Sequence, residues 1–205
     1  IYLPTHTFAD FNIDPRLKAA IAHKQYIYPS PIQDKSIPHA LEGRDILGIA
    51  NTGTGKTAAF LIPAIQKLMD APDPISVLII TPTRELATQL DDEFRVCAKD
   101  LRLYSSVCVG GMNIGRQMHS LRRRPQVVIG TPGRLRDLIS QRALDLRGVH
   151  TLVLDEADRM CDMGFLPDIK QIISMVAPER QNLFFSATMT PPIASLIGEM
   201  MKDPI

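Results

Sequence analysis

The 205-residue sequence has no tryptophan, only 5% aromatic residues and three cysteines. Cys97, Cys108 and Cys161 are widely spaced and match no metal-ligand pattern, so we predict free thiols in the cytoplasm or another reducing intracellular compartment. No run of about eighteen apolar residues occurs, and the chain does not start with a charged and then apolar leader. The sequence therefore predicts no membrane span, no signal peptide and no membrane partner.

The sequence also has no large excess of charge of one sign, because its formal net charge is only +1. Bulk electrostatics therefore do not indicate a nucleic-acid-binding protein. The distribution is uneven, since residues 101–150 contain nine arginines, two aspartates and no lysine. Arginine favours bidentate contact with phosphate groups. The run Arg122, Arg123 and Arg124, taken by itself, is equally consistent with a solvated basic face.

Apolar runs alternate with helical patterns along the chain, whose composition is 45% hydrophobic. Several of these runs have no polar alternation, which is typical of strands buried on both faces of a parallel sheet. The pattern predicts an α/β fold, a three-layer sandwich with a mostly parallel central sheet, in one compact domain. The predicted strands are 45–50, 77–81, 105–109, 127–130, 151–155 and 182–186.

A glycine-rich segment lies between the first predicted strand and a helical pattern. Gly53 and Gly55 let the backbone curl around phosphates, with its N–H groups beside the positive end of a helix. Lys56 would reach the β- and γ-phosphates, and the Thr57 hydroxyl would bind Mg²⁺. Ala50 replaces the usual first glycine and fits only at negative φ. The order of strand, loop and helix predicts a nucleoside triphosphate site made of Ala50, Asn51, Thr52, Gly53, Thr54, Gly55, Lys56 and Thr57.

A second motif, Asp155-Glu156-Ala157-Asp158, ends the strand predicted at 151–155. Asp155 would lie at the carboxyl edge of the sheet and bind Mg²⁺, partly through water. Glu156 would polarise the attacking water, and Asp158 would accept hydrogen bonds from a neighbouring motif. Alone, the motif equally fits an acidic helix start. With the glycine loop, it predicts a catalytic group of Lys56, Asp155 and Glu156.

The remaining motifs indicate a family. They are Pro82-Thr83-Arg84-Glu85-Leu86-Ala87, Gly110-Gly111, Thr131-Pro132-Gly133-Arg134 and Ser186-Ala187-Thr188, in that order. Together with Asp-Glu-Ala-Asp, they make the whole chain resemble the N-terminal RecA-like domain of DEAD-box RNA helicases. The resemblance implies a P-loop ATPase fold, ATP and Mg²⁺ as cofactors and RNA as a partner.

The segment from Gln25 to Gln33 resembles the Q motif of that family, with Phe8 as the upstream aromatic residue. The resemblance implies that Gln33 recognises the adenine edge, that Tyr26 stacks on the base and that Phe8 packs nearby. Simple core packing is the alternative for both aromatic residues. Gln25 stands where the family has glycine, and it would be strained at positive φ.

The resemblance also assigns residues that bind RNA and residues that couple hydrolysis to strand separation. The expected RNA contacts go to the sugar-phosphate backbone with little sequence preference, through backbone N–H groups, hydroxyls and arginines. They are Pro82, Thr83, Arg84, Gly111, Thr131, Pro132, Gly133 and Arg134. For coupling, the hydroxyls of Ser186 and Thr188 would bond the carboxylates of the segment from Asp155 to Asp158.

The domain organisation follows from the same motifs. We expect a Q-motif segment at 1–33, packed on a RecA-like ATP-binding domain at 34–205, and a monomeric chain. A second RecA-like domain, which supplies arginine fingers in this family, is absent from the sequence, so we expect this chain alone to be nearly inactive. An alternative function is a nucleotide-gated RNA clamp or assembly platform. A DNA helicase or another phosphate-loop ATPase is disfavoured by Gln33 and the acidic motif.

Overall fold

The computed structural model describes residues 2–24, 27–51 and 53–205. The described strands are β1 (Ile46–Ile49), β2 (Val77–Ile80), β3 (Ser105–Cys108), β4 (Val127–Gly130), β5 (Thr151–Leu154) and β6 (Gln181–Ser186). They form one sheet in the spatial order β1-β6-β5-β2-β4-β3, and every described neighbour pair is parallel. The predicted parallel α/β sheet is confirmed, and the first and last residues of each strand lie within one residue of the predicted bounds.

Helices connect the strands and cover the sheet. A 3₁₀ turn at Phe8–Asp10 precedes the first α-helix. The α-helices within the described part of the chain are α1 (Pro15–His23), α2 (Pro31–Leu41), α3 (Lys56–Asp70), α4 (Arg84–Cys97), α5 (Ile114–Arg122), α6 (Pro132–Ser140), α7 (Ala157–Asp162), α8 (Leu166–Ser174) and α9 (Pro191–Met200). Among these described helices, none combines the length and the apolar character that crossing a membrane requires.

Strand β2 shows why the fold has three layers. Its side chains alternate between two faces, and all four are completely buried. Val77 and Ile79 belong to the hydrophobic cluster that contains Phe60 of α3. Leu78 belongs to the cluster on the other face, with Leu135 of α6. Burial of one such side chain contributes roughly 1.5–3 kcal/mol, so both helical layers are needed to cover the apolar strand.

The N-terminal segment is tied to helix α2 by the buried carboxylate of Asp34. This carboxylate accepts hydrogen bonds from the Tyr2 hydroxyl at 2.5 Å, the Thr5 N–H at 2.7 Å and the His6 N–H at 3.1 Å. The His6 Nδ1 atom lies 2.7 Å from the same carboxylate. Residues 33 and 34 both lie inside α2. The boundary expected at that point therefore separates two motifs and not two structural units.

The ionisation of Asp34 is expected to stabilise the fold above about pH 4. Burial alone raises its pKa, but the hydrogen bonds from Tyr2, Thr5 and His6 outweigh burial and lower the pKa from 3.8 to about 2. A carboxylate with a lowered pKa in the folded state stabilises above its unfolded pKa, and this contribution is lost as the pH falls towards about 2. Asp34→Asn should reduce the free energy of unfolding by about 1–3 kcal/mol at pH 7.

Urea denaturation from pH 7 down to pH 3 measures this difference, with Asp92→Asn as the control because Asp92 is exposed. The stability gap between wild type and Asp34→Asn should narrow as the pH decreases below about 4. A gap that stayed constant with pH, or that also appeared in Asp92→Asn, would contradict the role assigned to Asp34.

Candidate functional site

The glycine loop between β1 and α3 has the backbone that the sequence predicts. Gly53 and Gly55 adopt left-handed conformations, with φ of +87° and +82°. Ala50 lies outside the left-handed region, as its side chain requires, and its N–H donates to the carbonyl of Ser186 at 3.0 Å. Thr52 lies outside the described residues. The loop thus starts against β6 and delivers Lys56 to the first turn of α3.

Gln33 holds this loop against helix α2. Its Nε2 donates to the carbonyl of Gly55 at 2.9 Å, and its Oε1 accepts from the N–H of Ser30 at 2.9 Å. A Cβ atom on Gly55 would lie only 2.5 Å from Gln33 Nε2 and 2.9 Å from Ser30 Oγ. The sequence did not predict this contact, because residues 33 and 55 are brought together only by the packing of α2 on α3.

Phe8 and Tyr26 are the other two residues predicted to lie near adenine. Phe8 is only 5% exposed and packs edge to face with Phe11, with 5.7 Å between the ring centroids. Tyr26 lies outside the described residues, as does Gln25 with its predicted strain. Recognition of adenine by Gln33 and Tyr26 therefore remains a prediction, and Phe8 occupies the hydrophobic core.

Lys56, Asp155 and Glu156 form a buried charged group at the carboxyl edge. The Lys56 Nζ lies 2.8 Å from Asp155 Oδ1 and 4.0 Å from Glu156 Oε1. Burial raises the pKa of Asp155, and the Lys56 ammonium acts in the opposite direction. The predicted catalytic residues are thus adjacent, although a hundred residues separate Lys56 from Asp155 in sequence.

Glu156 has an unusual backbone for a residue other than glycine. Its φ of 55° and ψ of 52° place it in the left-handed region immediately before α7. Such a conformation costs on the order of 1–3 kcal/mol and is frequent at functional sites. Its carboxylate is 15% exposed, with Oε2 at 3.8 Å from a guanidinium nitrogen of Arg159. The left-handed turn aims this carboxylate into the cavity above the glycine loop.

That cavity has a volume of about 320 Å³. Its walls include Gly53, Gly55 and Thr57 from the loop, and Asp155 and Glu156 from the end of β5. It is partly open to solvent, and its lining combines polar and apolar surface. Its lining brings the backbone of the glycine loop, Lys56 and the carboxylates of Asp155 and Glu156 onto a single concave surface, which suits a triphosphate.

The donors around this cavity fit Mg²⁺. Thr57 offers a hydroxyl oxygen and Asp155 a carboxylate oxygen, both hard donors. Within the described residues, no group of three or more His, Cys, Asp or Glu side chains could hold a metal ion. Thr57 and Asp155 would be the protein ligands of a magnesium ion here, and Mg²⁺ commonly takes its other ligands from phosphates and water.

The acidic motif is linked to β6 through Asp158. Its Oδ2 accepts from the Thr188 hydroxyl at 2.9 Å and from the Thr188 N–H at 3.1 Å. Partial burial acts to raise the pKa of Asp158, but hydrogen bonds from the Thr188 and Ser186 hydroxyls and from backbone N–H groups outweigh it and lower the pKa. The Ser186 hydroxyl also donates to the Thr188 carbonyl at 2.7 Å and accepts from the Asp158 N–H at 3.3 Å. Ser186 therefore shapes the turn that presents Thr188.

The predicted RNA-binding residues follow β2, β3 and β4, which are neighbours in the sheet. Thr83 caps α4, with its hydroxyl oxygen accepting from the Leu86 N–H at 3.2 Å. The Arg84 guanidinium lies beside Gly111, whose φ is +78° and whose Cβ would be 3.7 Å from Arg84 Nη1. Thr131 directly precedes α6, Pro132 and Gly133 form its first turn, and Pro132 is buried. All these segments lie at the carboxyl edge, beside the cavity above the glycine loop.

Arg134 has internal partners that sequence reasoning missed. Its Nη1 donates to the carbonyl of Met112 at 2.9 Å and to Gln117 Oε1 at 3.0 Å. Buried Gln117 in turn donates from Nε2 to the carbonyl of Val109 at 2.9 Å. This network holds both sides of the glycine pair at 110–111. A signal for it existed, because Gln117 is a polar residue on the apolar stripe that Ile114 and Leu121 define on α5.

Comparison with protein families matches residues 30–196 to the DEAD/DEAH box helicase family. This chain belongs to that family. It is 44% identical over 203 residues to the ATP-dependent rRNA helicase RRP3 of Gibberella zeae, covering 98% of this chain and 42% of that protein. It is also 45% identical over 197 residues to the ATP-dependent RNA helicase CshA of Listeria monocytogenes, covering 96% of this chain and 38% of that protein.

Family membership confirms the resemblance drawn from the motifs. A third relative, the DEAD-box ATP-dependent RNA helicase CshA of Bacillus subtilis, is 44% identical over 200 residues, which are 98% of this chain and 40% of that protein. The chain thus spans about two fifths of the length of these curated relatives. As a DEAD/DEAH box helicase domain, it contains the glycine loop and the acidic motif in one cavity, with the four remaining motifs on the same edge of the sheet.

Proposed function

We propose that this chain is the ATP-binding and RNA-binding half of an ATP-dependent RNA helicase. The observation that carries the proposal is the cavity in which Lys56, Asp155 and Glu156 lie together above the glycine loop. Lys56 and the loop N–H groups hold the triphosphate. Asp155 and Thr57 hold Mg²⁺, which neutralises charge on the phosphates when it is bound.

Glu156 is the residue that orients the attacking water. Its carboxylate faces the triphosphate cavity from a backbone turn that fixes its direction, and an ionised carboxylate can accept a proton from water. Asp155, which lies 2.8 Å from Lys56, is assigned to Mg²⁺, and Glu156 is therefore the residue proposed for the water. Asp158 and Thr188 connect the same strand to the turn after β6, so a change at the triphosphate can reach that turn.

RNA lies along the neighbouring part of the same edge, over the ends of β2, β4 and β3. The Arg84 side chain, the Gly111 backbone and the N-terminus of α6 offer donors for phosphate groups. A second RecA-like domain in the complete protein closes on this edge, supplies arginine fingers and completes the helicase that melts RNA locally. In the absence of that domain, we expect negligible ATP hydrolysis.

Nucleotide binding by the 205-residue chain tests the first half of this proposal. Titration with ATP and with GTP in the presence of Mg²⁺ should give tighter binding of ATP by about tenfold or more, because Gln33 matches the adenine edge. Lys56→Ala should weaken ATP binding by at least about tenfold, since it removes a charge-assisted contact to the phosphates.

The matched control is Lys170→Ala, which removes an exposed lysine on α8. Its affinity for ATP should equal that of wild type. Equal affinity for ATP and GTP would contradict the adenine assignment, and unchanged ATP binding by Lys56→Ala would contradict the phosphate site itself.

A further inference from the structure

The arginines of residues 101–150 do not all lie at the site described above. Arg116 and Arg134 are in the first turns of α5 and α6, next to the carboxyl edge of the sheet. Six others lie in segments that lead into strands or end helices, which places them at the opposite, amino edge. They are Arg102, Arg122, Arg123, Arg124, Arg142 and Arg147. The function proposed for the carboxyl edge leaves these six without a role.

Four of the six form one group where β3 and β4 begin. Ser105 pairs with Val127 in the parallel register, and Arg102 and Arg124 each lie three residues before those positions. Parallel neighbours are about 4.8 Å apart, so the two segments run side by side. Hydrogen bonds confirm the contact, since the Tyr104 carbonyl accepts from the Gln126 N–H at 3.1 Å, and the Tyr104 N–H donates to Gln126 Oε1 at 2.8 Å.

Arg102 and Arg124 also share an uncommon backbone. Both have a φ of 55°, in the left-handed region that favours glycine or asparagine. Arginine at each of these turns costs more than glycine or asparagine would. The two side chains leave their turns from corresponding positions on adjacent strands, and both are exposed.

The charges of this group are not neutralised by the protein. Among the described residues, no carboxylate forms an ion pair with Arg102, Arg122, Arg123 or Arg124, whereas Arg147 pairs with Asp145 at 2.7 Å. Lys99 adds a further cation to these two segments, against the carboxylate of Asp100. Like charges this close repel each other, and a polyanion would remove that cost.

An exposed aromatic ring lies within the same group. Tyr104 is 65% exposed although its backbone is fixed by Gln126 at the start of the sheet. Arginines beside an exposed aromatic ring are the combination that binds single-stranded nucleic acid, through phosphates and a stacked base. We propose that the amino-edge patch, defined as Arg102, Tyr104, Arg122, Arg123 and Arg124, binds the sugar-phosphate backbone of single-stranded RNA at a second site.

The choice of RNA as the ligand of this second site rests on the proposed function, whereas the location of the site does not. Because β3 is the edge strand of the sheet, an RNA strand that leaves the carboxyl edge beyond β3 can pass around it to the amino-edge patch. Strands of four residues separate the two edges by about 13 Å, apart from the loops. A short RNA would therefore fill the first site only, and a longer RNA would reach both.

The test compares two triple variants of the chain. The patch variant is Arg102→Gln, Arg123→Gln and Arg124→Gln. The control is Arg142→Gln, Lys170→Gln and Lys202→Gln, which removes the same charge from exposed positions and includes Arg142, whose φ is 56°. Fluorescence anisotropy measures binding of labelled oligouridine of about 8 and about 24 nucleotides over a range of salt concentrations.

We expect the patch variant to bind the longer RNA about tenfold more weakly than the control does, with the shorter RNA unaffected. The slope of log K against log salt for the longer RNA should become shallower by about 2, the value for three lost phosphate contacts on a single strand. Tyr104→Leu should weaken binding of the longer RNA by about fivefold, and Tyr104→Phe should restore it, because only the ring is needed for stacking.

Two outcomes would overturn the second site. The first is equal RNA affinity and equal salt slope for the patch and control variants. The second is a patch variant that keeps its RNA affinity but loses binding to phosphatidylserine vesicles. Arg84→Gln separates this from the proposed function. If Arg84→Gln weakens binding of the shorter RNA while the patch variant binds RNA like the control, the carboxyl-edge site is supported and the second site is rejected. If Arg84→Gln binds the shorter RNA like wild type while the patch variant binds the longer RNA more weakly than the control, the second site is supported and the RNA contact of Arg84 is rejected.

Discussion

ATP turnover by the full-length protein should fall by at least about 100-fold when Glu156 is replaced by Gln. The amide has nearly the same shape as the carboxylate, so it can still occupy the left-handed turn before α7. It cannot accept a proton from water at neutral pH. Lys56 and Asp155 keep their ion pair, and binding of ATP and RNA should therefore change by less than about twofold.

Steady-state phosphate release and equilibrium binding of ATP separate these two effects. Glu199→Gln is the matched control, because Glu199 is exposed on α9, away from the cavity. It should hydrolyse ATP like wild type. If Glu156→Gln retained normal turnover, another group would have to orient the water, and the assignment of Glu156 would be wrong.

The second large effect is expected for Gly55→Ala. The added Cβ would lie 2.5 Å from Gln33 Nε2, and the residue would remain at a φ of +82°. The left-handed backbone costs on the order of 1–2 kcal/mol for alanine, and loss of the bond from Gln33 to Gly55 costs about 1 kcal/mol more. We expect a total loss of about 2–4 kcal/mol in unfolding free energy, with ATP binding weakened at least about tenfold, because Gln33 no longer holds the loop.

Gly43→Ala measures the backbone part of this effect without the steric part. Gly43 follows α2 at a φ of +87°, and a Cβ there would have no atom within 4 Å. It should lose only the backbone part of the stability, about 1–2 kcal/mol, and ATP binding should remain unchanged. Urea denaturation and ATP titration measure both quantities. Equal losses in Gly55→Ala and Gly43→Ala would mean that the contact with Gln33 has no importance for the loop.

Much of the fold could be predicted because its strands are buried on both faces. Strand β2 consists of four consecutive apolar residues, Val77, Leu78, Ile79 and Ile80, with no polar residue between them. Such a run can be fully buried only in a sheet that helices cover on both faces. Turn chemistry fixed the ends of the elements in the same way. Gly55 allows the left-handed turn that starts α3, and the conformation of Pro132 suits the first position of α6.

The individual contacts within the site were harder to predict from the sequence than the strands were. The two hydroxyls after β6 were expected to bond carboxylates of the acidic motif, but the backbone contacts of Ser186 with Thr188 and Asp158 were not expected. Gln117 was missed, although it connects Arg134 to the glycine pair. Which donor meets which acceptor depends on small rotations of loops, and the residue types alone do not specify them.

By itself, the sequence determined the chemistry of this protein: a phosphate loop with one lysine, two carboxylates at a strand end, and the family to which these motifs belong. These features are local, and each needs only a few neighbouring residues. The tertiary structure decided which motifs share a site. The strand order puts β1, β6 and β5 together at the proposed triphosphate site and β2, β4 and β3 together at the proposed RNA site. It also divided the arginines between two edges, because the two ends of each helix lie at opposite edges of a parallel sheet.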